Sequence, residues 1–198
     1  MAAGYETTAT TLGYIMYILA THSDEQTKLF QLINEVLTHA NNSHHLLDFD
    51  TLNNMEYLDW FIKEVLRMYP IGQSLLDRQL YDESYEIKNH GRLKRGTVVV
   101  GDMHTIHYDS NLWGPHDPNE FYPERFRDKR HPMAFLAFGQ GPRNCVGMRF
   151  AFLEIKLVLV HLLKKYTIIE CCETEANFKI IETFVTQPKA VWIKLQQR

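Results

Sequence analysis

Phe138-Gly139-Gln140-Gly141-Pro142-Arg143-Asn144-Cys145-Val146-Gly147 is the stretch on which the reading of this chain turns. Two glycines and a proline precede one cysteine, a third glycine follows it, and a long helical pattern starts directly after. Glycines permit tight turns and close approach of backbone to a flat ligand. A cysteine just ahead of a helix N-terminus sits in a positive field that favours thiolate over thiol, and backbone amides there can donate to the sulfur. This is what a metal-bound cysteine needs. A Gly-rich turn with a buried free cysteine is the plainer reading of a lone Cys, but the ten-residue context argues against it.

Downstream, the pattern predicts a helix from Met148 to Lys165, with Lys164 and Lys165 suited to its negative C-terminal end. Strand-like pieces follow at Phe178 to Ile181 and Val191 to Leu195. Upstream, Asp109 to Pro132 is rich in Pro, Asp, Asn and Arg and reads as a long ordered loop, uncommon unless functional. Ile71 to Gly101 holds short β-rich pieces punctuated by Gly91, Gly96 and Gly101, with a turn at Lys94-Arg95-Gly96 into a strand at Thr97 to Val100.

Three helices are predicted before that. The first spans Ala2 to Thr21, with Leu12, Ile15, Met16 and Leu19 on one side. The second opens on Ser23 and Gln26, read as a capping box, and carries Leu29, Leu32, Ile33, Val36 and Leu37 at helical spacing. A polar loop, His39 to His45, separates it from a third, capped by Asn53 with Glu56 and stopped by Pro70. The sum is mainly α with small β-sheets, an α+β chain.

Two further constellations stand out. Glu64 and Arg67 lie at i,i+3 on a helix whose Ile62, Val65 and Leu66 mark a core face. A buried pair there needs further partners, and Arg125 in Pro123-Glu124-Arg125-Phe126 is a candidate. Ala3-Gly4-Tyr5-Glu6-Thr7-Thr8 sets a glycine, an acid and two hydroxyls inside a helix. A mid-helix Thr can divert a carbonyl and open a local bulge, often seen at functional sites. An ordinary N-terminal capping stretch is the even alternative.

Composition narrows the classes. A formal net charge of -3 points to neither nucleic acid nor an anionic membrane, and no apolar run reaches bilayer length. The three cysteines, Cys145, Cys171 and Cys172, do not suggest a disulfide framework, and nothing pairs them at zinc spacing. The histidines are scattered, and His44-His45 reads as a surface pair. The chain reads as helix from Ala2, with no basic leader, signal peptide or anchor, so it is expected to begin inside an element.

Taken in order along the chain, these constellations resemble the cytochrome P-450 superfamily. Phe138 to Gly147 resembles its heme-binding stretch, Glu64 and Arg67 its E-x-x-R helix, Ala3 to Thr8 its oxygen-activating motif, and Phe121 to Phe126 its meander. Met148-Arg149-Phe150-Ala151 after the cysteine resembles eukaryotic microsomal members, in particular the xenobiotic-metabolising and thromboxane-synthase-like group. The resemblance implies a heme-thiolate monooxygenase that inserts one oxygen atom from O2 into an apolar small molecule, with heme b as cofactor. It implies NADPH-cytochrome reductase and cytochrome b5 as partners, no nucleic acid, and the cytoplasmic face of the endoplasmic reticulum membrane. A non-catalytic heme-binding remnant and a heme-thiolate isomerase are the alternatives.

The roles it implies are specific. Cys145 is the proximal metal ligand, with Phe138, Gly139 and Gly147 in the loop around it. Arg143 pairs with a heme propionate. Arg78 does the same, across an interval from Pro70 one residue longer than the family pattern. Thr7 and Glu6 relay protons on the distal side. Glu64, Arg67 and Arg125 form a structural triad. Ile71 to Leu76 and Thr183 to Gln187 line the substrate pocket. Residues 1–198 correspond to the C-terminal portion of one such domain, with the N-terminal half and its membrane anchor absent. The chain alone is therefore expected to be incompetent.

Overall fold

The computed structural model describes residues 2–40, 49–72, 76–182 and 185–198. His44 and His45 of the expected loop lie outside the described residues, as do 73–75 and 183–184 of the two expected pocket segments. The elements are helices α1 (Ala2–Thr21), α2 (Ser23–Ala40), α3 (Phe49–Asn53), α4 (Glu56–Met68), α5 (Met103–Tyr108), α6 (Ser110–Trp113) and α7 (Met148–Lys165). The strands are β1 (Arg78–Gln79), β2 (Ser84–Ile87), β3 (Gly91–Lys94), β4 (Val98–Val99), β5 (Tyr166–Ile169), β6 (Ile180–Glu182), β7 (Thr186–Pro188) and β8 (Lys194–Gln197). They pair as antiparallel two-stranded ribbons, β1 with β4, β2 with β3, β5 with β8 and β6 with β7. The architecture is mainly α with small β-sheets, as expected.

α4 shows why these segments fold together. Leu58, Phe61, Ile62 and Val65 recur at helical spacing and are all buried against α1 and α7. Tyr14, Ile15, Ile18 and Leu19 of α1, Leu29 and Ile33 of α2, and Ile155, Leu159 and Leu163 of α7 complete one core. α1 departs from the one-sided stripe its sequence suggests. From Tyr14 to Ala20 it is buried nearly all round, while Ala3, Gly4 and Tyr5 at its start are exposed. A helix enclosed on every side needs no polar face.

Both capping signals are realised differently. Ser23 is already inside α2, where its carbonyl accepts from the Thr27 hydroxyl at 2.8 Å. Gln26 does not reach back to the helix start. It is buried, donating from Nε2 to the carbonyls of Leu19 and Ile168 and accepting the Ile168 N–H, each at 2.8 Å. Asn53 closes α3, and α4 begins after Met55, which offers no side-chain cap. α2 runs past His39 to Ala40. Nor does α1 open a bulge: the Thr7 hydroxyl donates to the Ala3 carbonyl at 2.6 Å, yet the helix stays α from Ala2 to Thr21.

The long segment from Asp109 to Pro132 is ordered, and it contains α6 and a single 3-10 turn, Pro123–Phe126. It lacks a ladder to satisfy its carbonyls, so two arginines collect them. Arg125 donates to Trp113 at 2.8 Å and to Asp117 and Glu120 at 3.0 Å. Arg130 donates to Leu112 at 2.8 Å and to Gly114 at 3.1 Å. The segment is thereby shaped from within and packed on α4. Among the described residues, no helix is long and apolar enough to cross a membrane.

Candidate functional site

A cavity of about 310 Å3 lies where α1, α4 and α7 meet the cysteine loop. Thr7, Thr8 and Thr11 line it from α1, and Phe138, Gly139, Arg143, Cys145 and Val146 from the loop. Arg78 at the start of β1 also reaches it. Leu66, Ile71, Met103, Leu136 and Ile155 make the remaining wall apolar. Six of the residues singled out in the sequence are thus brought to one hollow from segments more than 130 residues apart, Thr7 to Cys145. Glu6 and Gly147 are not on its wall. Glu6 lies half-buried on α1 one residue before Thr7, so its side chain leaves the helix on a different bearing. Gly147 is the N-cap residue of α7, immediately before Met148.

The loop is shaped by its own backbone. Gly139 N–H donates to the Leu136 carbonyl at 2.8 Å, Asn144 N–H to Gly141 at 3.1 Å, and Cys145 N–H to Phe138 at 2.8 Å. Gly139 and Gly141 have φ of 69° and 77°, the left-handed region that only glycine adopts without strain. The result presents the Cys145 side chain exposed beside the cavity, ahead of the N-terminus of α7. Arg143, in the short 3-10 turn Gly141–Arg143, is also exposed.

Beneath the hollow sits a buried ionic cluster. Arg67 holds Glu64 with two bonds, Nε to Oε2 at 2.8 Å and Nη2 to Oε1 at 2.9 Å. Arg125 Nε and the Tyr122 amide both donate to Glu64 Oε1 at 2.9 Å. Arg67, Glu64 and Arg125 expose at most 1% of their surface. Exposed pairs contribute roughly 0–1 kcal/mol, whereas removing one partner from a buried cluster costs about 3–5 kcal/mol. Here the guanidinium nitrogens not bonded to Glu64 donate to backbone: Arg67 Nη1 to His107 at 2.8 Å, Arg125 Nη1 and Nη2 to the carbonyls given above. None of the three side chains touches the cavity.

His107 is the residue that the sequence did not announce. It is fully buried, Nδ1 donates to the Arg67 carbonyl at 3.0 Å, and Nε2 accepts the Leu136 N–H at 2.9 Å. Burial, and the nearby charges of Arg67 and His104, push its pKa down to about 4 against the pull of the Arg67 carbonyl. The ring is therefore neutral near pH 7. Among the ten histidines its pattern carries no distinguishing signal, because burial of one imidazole is decided by packing.

Of the expected pocket segments, Ile71, Gly72 and Leu76 line the cavity. Thr186 and Gln187 belong to β7 and are not on its wall, although the Thr186 amide donates to the Ile71 carbonyl at 2.9 Å and ties that strand to it. Cys171 and Cys172 lie in the turn after β5, away from this site.

Residues 1–195 match the cytochrome P450 family. The chain is 41% identical over 201 residues to "Cytochrome P450 3A12" of Canis lupus familiaris, covering 99% of this chain and 38% of that protein. It is 37% identical to "Putative cytochrome P450 CYP13A10" of Caenorhabditis elegans, covering 100% of this chain and 38% of that protein. It is also 42% identical over 191 residues to "Cytochrome P450 3A19" of Capra hircus aegagrus, covering 94% and 83% respectively. The chain thus spans under two fifths of the first two relatives.

Proposed function

We propose, for a chain that belongs to the cytochrome P450 family, that the cavity beside Cys145 is part of a heme b site and that the whole protein is a heme-thiolate monooxygenase. The single observation behind this reading is the convergence of Thr7, Arg78, Phe138, Arg143 and Cys145 on one apolar hollow.

The donor set fits such a group. A flat, largely apolar ring with anionic substituents wants apolar walls, one soft ligand and cations at the margin. Leu66, Leu136, Phe138 and Ile155 are the walls, Cys145 is the thiol, and Arg78 and Arg143 are the guanidiniums. The volume is at the lower end of ligand pockets, which run about 300–1,000 Å3, so these segments enclose only part of a macrocycle.

When bound, heme supplies the oxygen-activating chemistry: one atom of O2 enters a lipophilic substrate, with electrons from NADPH-cytochrome reductase or cytochrome b5 at the endoplasmic reticulum membrane. The protein's own residues orient and shield it. Cys145, exposed on the cavity wall two residues ahead of the α7 N-cap, is the sulfur that would hold the iron. Arg78 and Arg143 take the propionates as charge-assisted pairs. Thr7 donates its proton to the Ala3 carbonyl, which leaves its oxygen free to accept from a donor in the cavity. Thr7 is thus the relay residue at the hollow, and Glu6 would supply it through solvent.

The reading is tested by loading the whole protein with heme, reducing it and adding carbon monoxide. The thiolate-type Soret band is expected in the parent and in Cys171→Ala and Cys172→Ala, and lost in Cys145→Ala. Retention of that band in Cys145→Ala removes Cys145 as ligand. A band without reductant-dependent product would favour the non-catalytic or isomerase alternatives.

A further inference from the structure

We infer that His107 is a positioning residue for the Cys145 loop, a physical link between the buried Glu64–Arg67 pair and the backbone that carries the thiol. The inference rests on the proposed site.

The connection can be followed atom by atom. Arg67 and His107 are joined twice, each side chain donating to the other's carbonyl, Nη1 at 2.8 Å and Nδ1 at 3.0 Å. Both ends of the imidazole are thereby assigned. A carbonyl can only accept, so Nδ1 carries the hydrogen; an amide N–H can only donate, so Nε2 is bare. That bare nitrogen receives the Leu136 N–H at 2.9 Å. Leu136 is where the loop begins. Its side chain lines the cavity, and its carbonyl accepts the Gly139 N–H at 2.8 Å. Two residues on, Phe138 accepts the Cys145 N–H at 2.8 Å.

The ring is held in place as well as bonded. Phe135 stacks on it at 5.6 Å with a 9° interplanar angle, and Trp113 meets it edge-on at 6.3 Å. A buried amide left without its acceptor would have to move or find water. The Leu136 N–H has no regular ladder to fall back on, since residues 133–140 form turns, not strands. His107 therefore sets where the loop starts, and the loop's own bonds carry that placement to Cys145.

Two substitutions separate the bonds, because an Asn amide overlays Nδ1 of histidine and a Gln amide overlays Nε2. His107→Gln keeps an acceptor for Leu136; His107→Asn keeps a donor for Arg67 and loses that acceptor. Hydrogen exchange of the Leu136, Gly139 and Cys145 amides is measured in each variant, with amides of α2 and α7 as internal reference. In His107→Asn the three amides are expected to exchange at least tenfold faster while the reference amides do not. In His107→Gln they are expected to stay within about threefold of the parent. In the heme-loaded whole protein the carbon monoxide band should shift or broaden in the Asn variant and be restored in the Gln variant. Equal acceleration in both variants, acceleration spread evenly over α2 and α7, or failure of both to fold would overturn the inference. A parent without a thiolate band, but with the same exchange pattern, would sink the heme reading and leave the positioning role standing.

Discussion

Gln26 reads the backbone of Ile168 on both sides: its amide oxygen accepts the Ile168 N–H and its nitrogen donates to the Ile168 carbonyl, each at 2.8 Å. The same nitrogen donates to the Leu19 carbonyl, so one side chain clasps α1, α2 and β5 across 142 residues of sequence. Gln26→Glu should therefore be more damaging than Gln26→Leu. Both variants leave the Leu19 and Ile168 carbonyls without a donor, at about 1–3 kcal/mol each, and Leu also strands the Ile168 N–H. Glu instead adds an unpaired buried charge facing those two carbonyls, a penalty on the order of several kcal/mol that outweighs one lost amide bond. Urea unfolding at neutral pH should rank parent, Leu, then Glu, and the deficit of Glu should shrink on acidification. A Glu variant as stable as the parent would contradict the clasp.

Gln26 also marks where sequence reasoning ends. A Ser-x-x-Gln spacing is read as a capping box because local spacing is all that a sequence displays. Tertiary packing claimed the glutamine for β5 instead. By contrast, α7 has the bounds its sequence predicts, Met148 to Lys165, since an amphipathic run with two C-terminal lysines is a local property. Glu64 and Arg67 are legible as a pair from their i,i+3 spacing and Arg125 as a candidate partner, but only motif resemblance joins the three, since nothing local ties a helix to a loop 58 residues away. The strand ends show the same limit. Expected at Thr97 to Val100, Phe178 to Ile181 and Val191 to Leu195, they fall at Val98–Val99, Ile180–Glu182 and Lys194–Gln197. Short ribbons end where a partner ends, and the partner is distant in sequence.

His107 should make stability fall in acid. Its folded pKa of about 4 lies below the ordinary 6.5 because burial disfavours the charged ring. The unfolded chain then takes up a proton first as pH drops. The neutral ring's contribution is fully present above pH 6.5 and is lost as pH falls towards 4, a total of about 3 kcal/mol. His107→Gln cannot titrate there, so its stability curve should be flatter between pH 6.5 and 4. Parallel curves for parent and variant, by urea unfolding at several pH values, would show that His107 is not held neutral.

Thr7→Ala should separate proton delivery from cofactor binding. The variant loses the hydroxyl on the cavity wall but neither Cys145 nor the two arginines. In the heme-loaded whole protein, the thiolate band should persist and reductant should still be consumed. Product formed per reductant consumed should fall severalfold, with the difference appearing as peroxide, since removing a positioned proton-transfer group typically costs about 10²–10⁴-fold in the step it serves. Thr7→Ser keeps the hydroxyl and should recover most of the coupling. Unchanged coupling in Thr7→Ala would end the relay assignment.

These 198 residues, purified alone and given heme, a reductase and its nicotinamide donor, should yield no substrate-dependent product. The dog relative is matched over only 38% of its length, and around the cysteine loop and the start of α1 large apolar groups are exposed. Cys145 is exposed beside a cavity of about 310 Å3, and its neighbour Val146 is fully exposed. Tyr5 and Phe150 are exposed at 82% and 69%, large apolar groups that favour self-association. Heme reaching Cys145 would meet apolar walls and two arginines on this side and water elsewhere, so affinity should be low. Water would also admit side reactions that an enclosed site prevents. The C-terminal core should nevertheless persist, because the Glu64–Arg67–Arg125 cluster and the Gln26 clasp are complete within the chain. Gel filtration should show association, circular dichroism should show helix, and the turnover assay should read baseline. Turnover comparable to an intact enzyme would mean that the segments described here suffice to enclose the reaction.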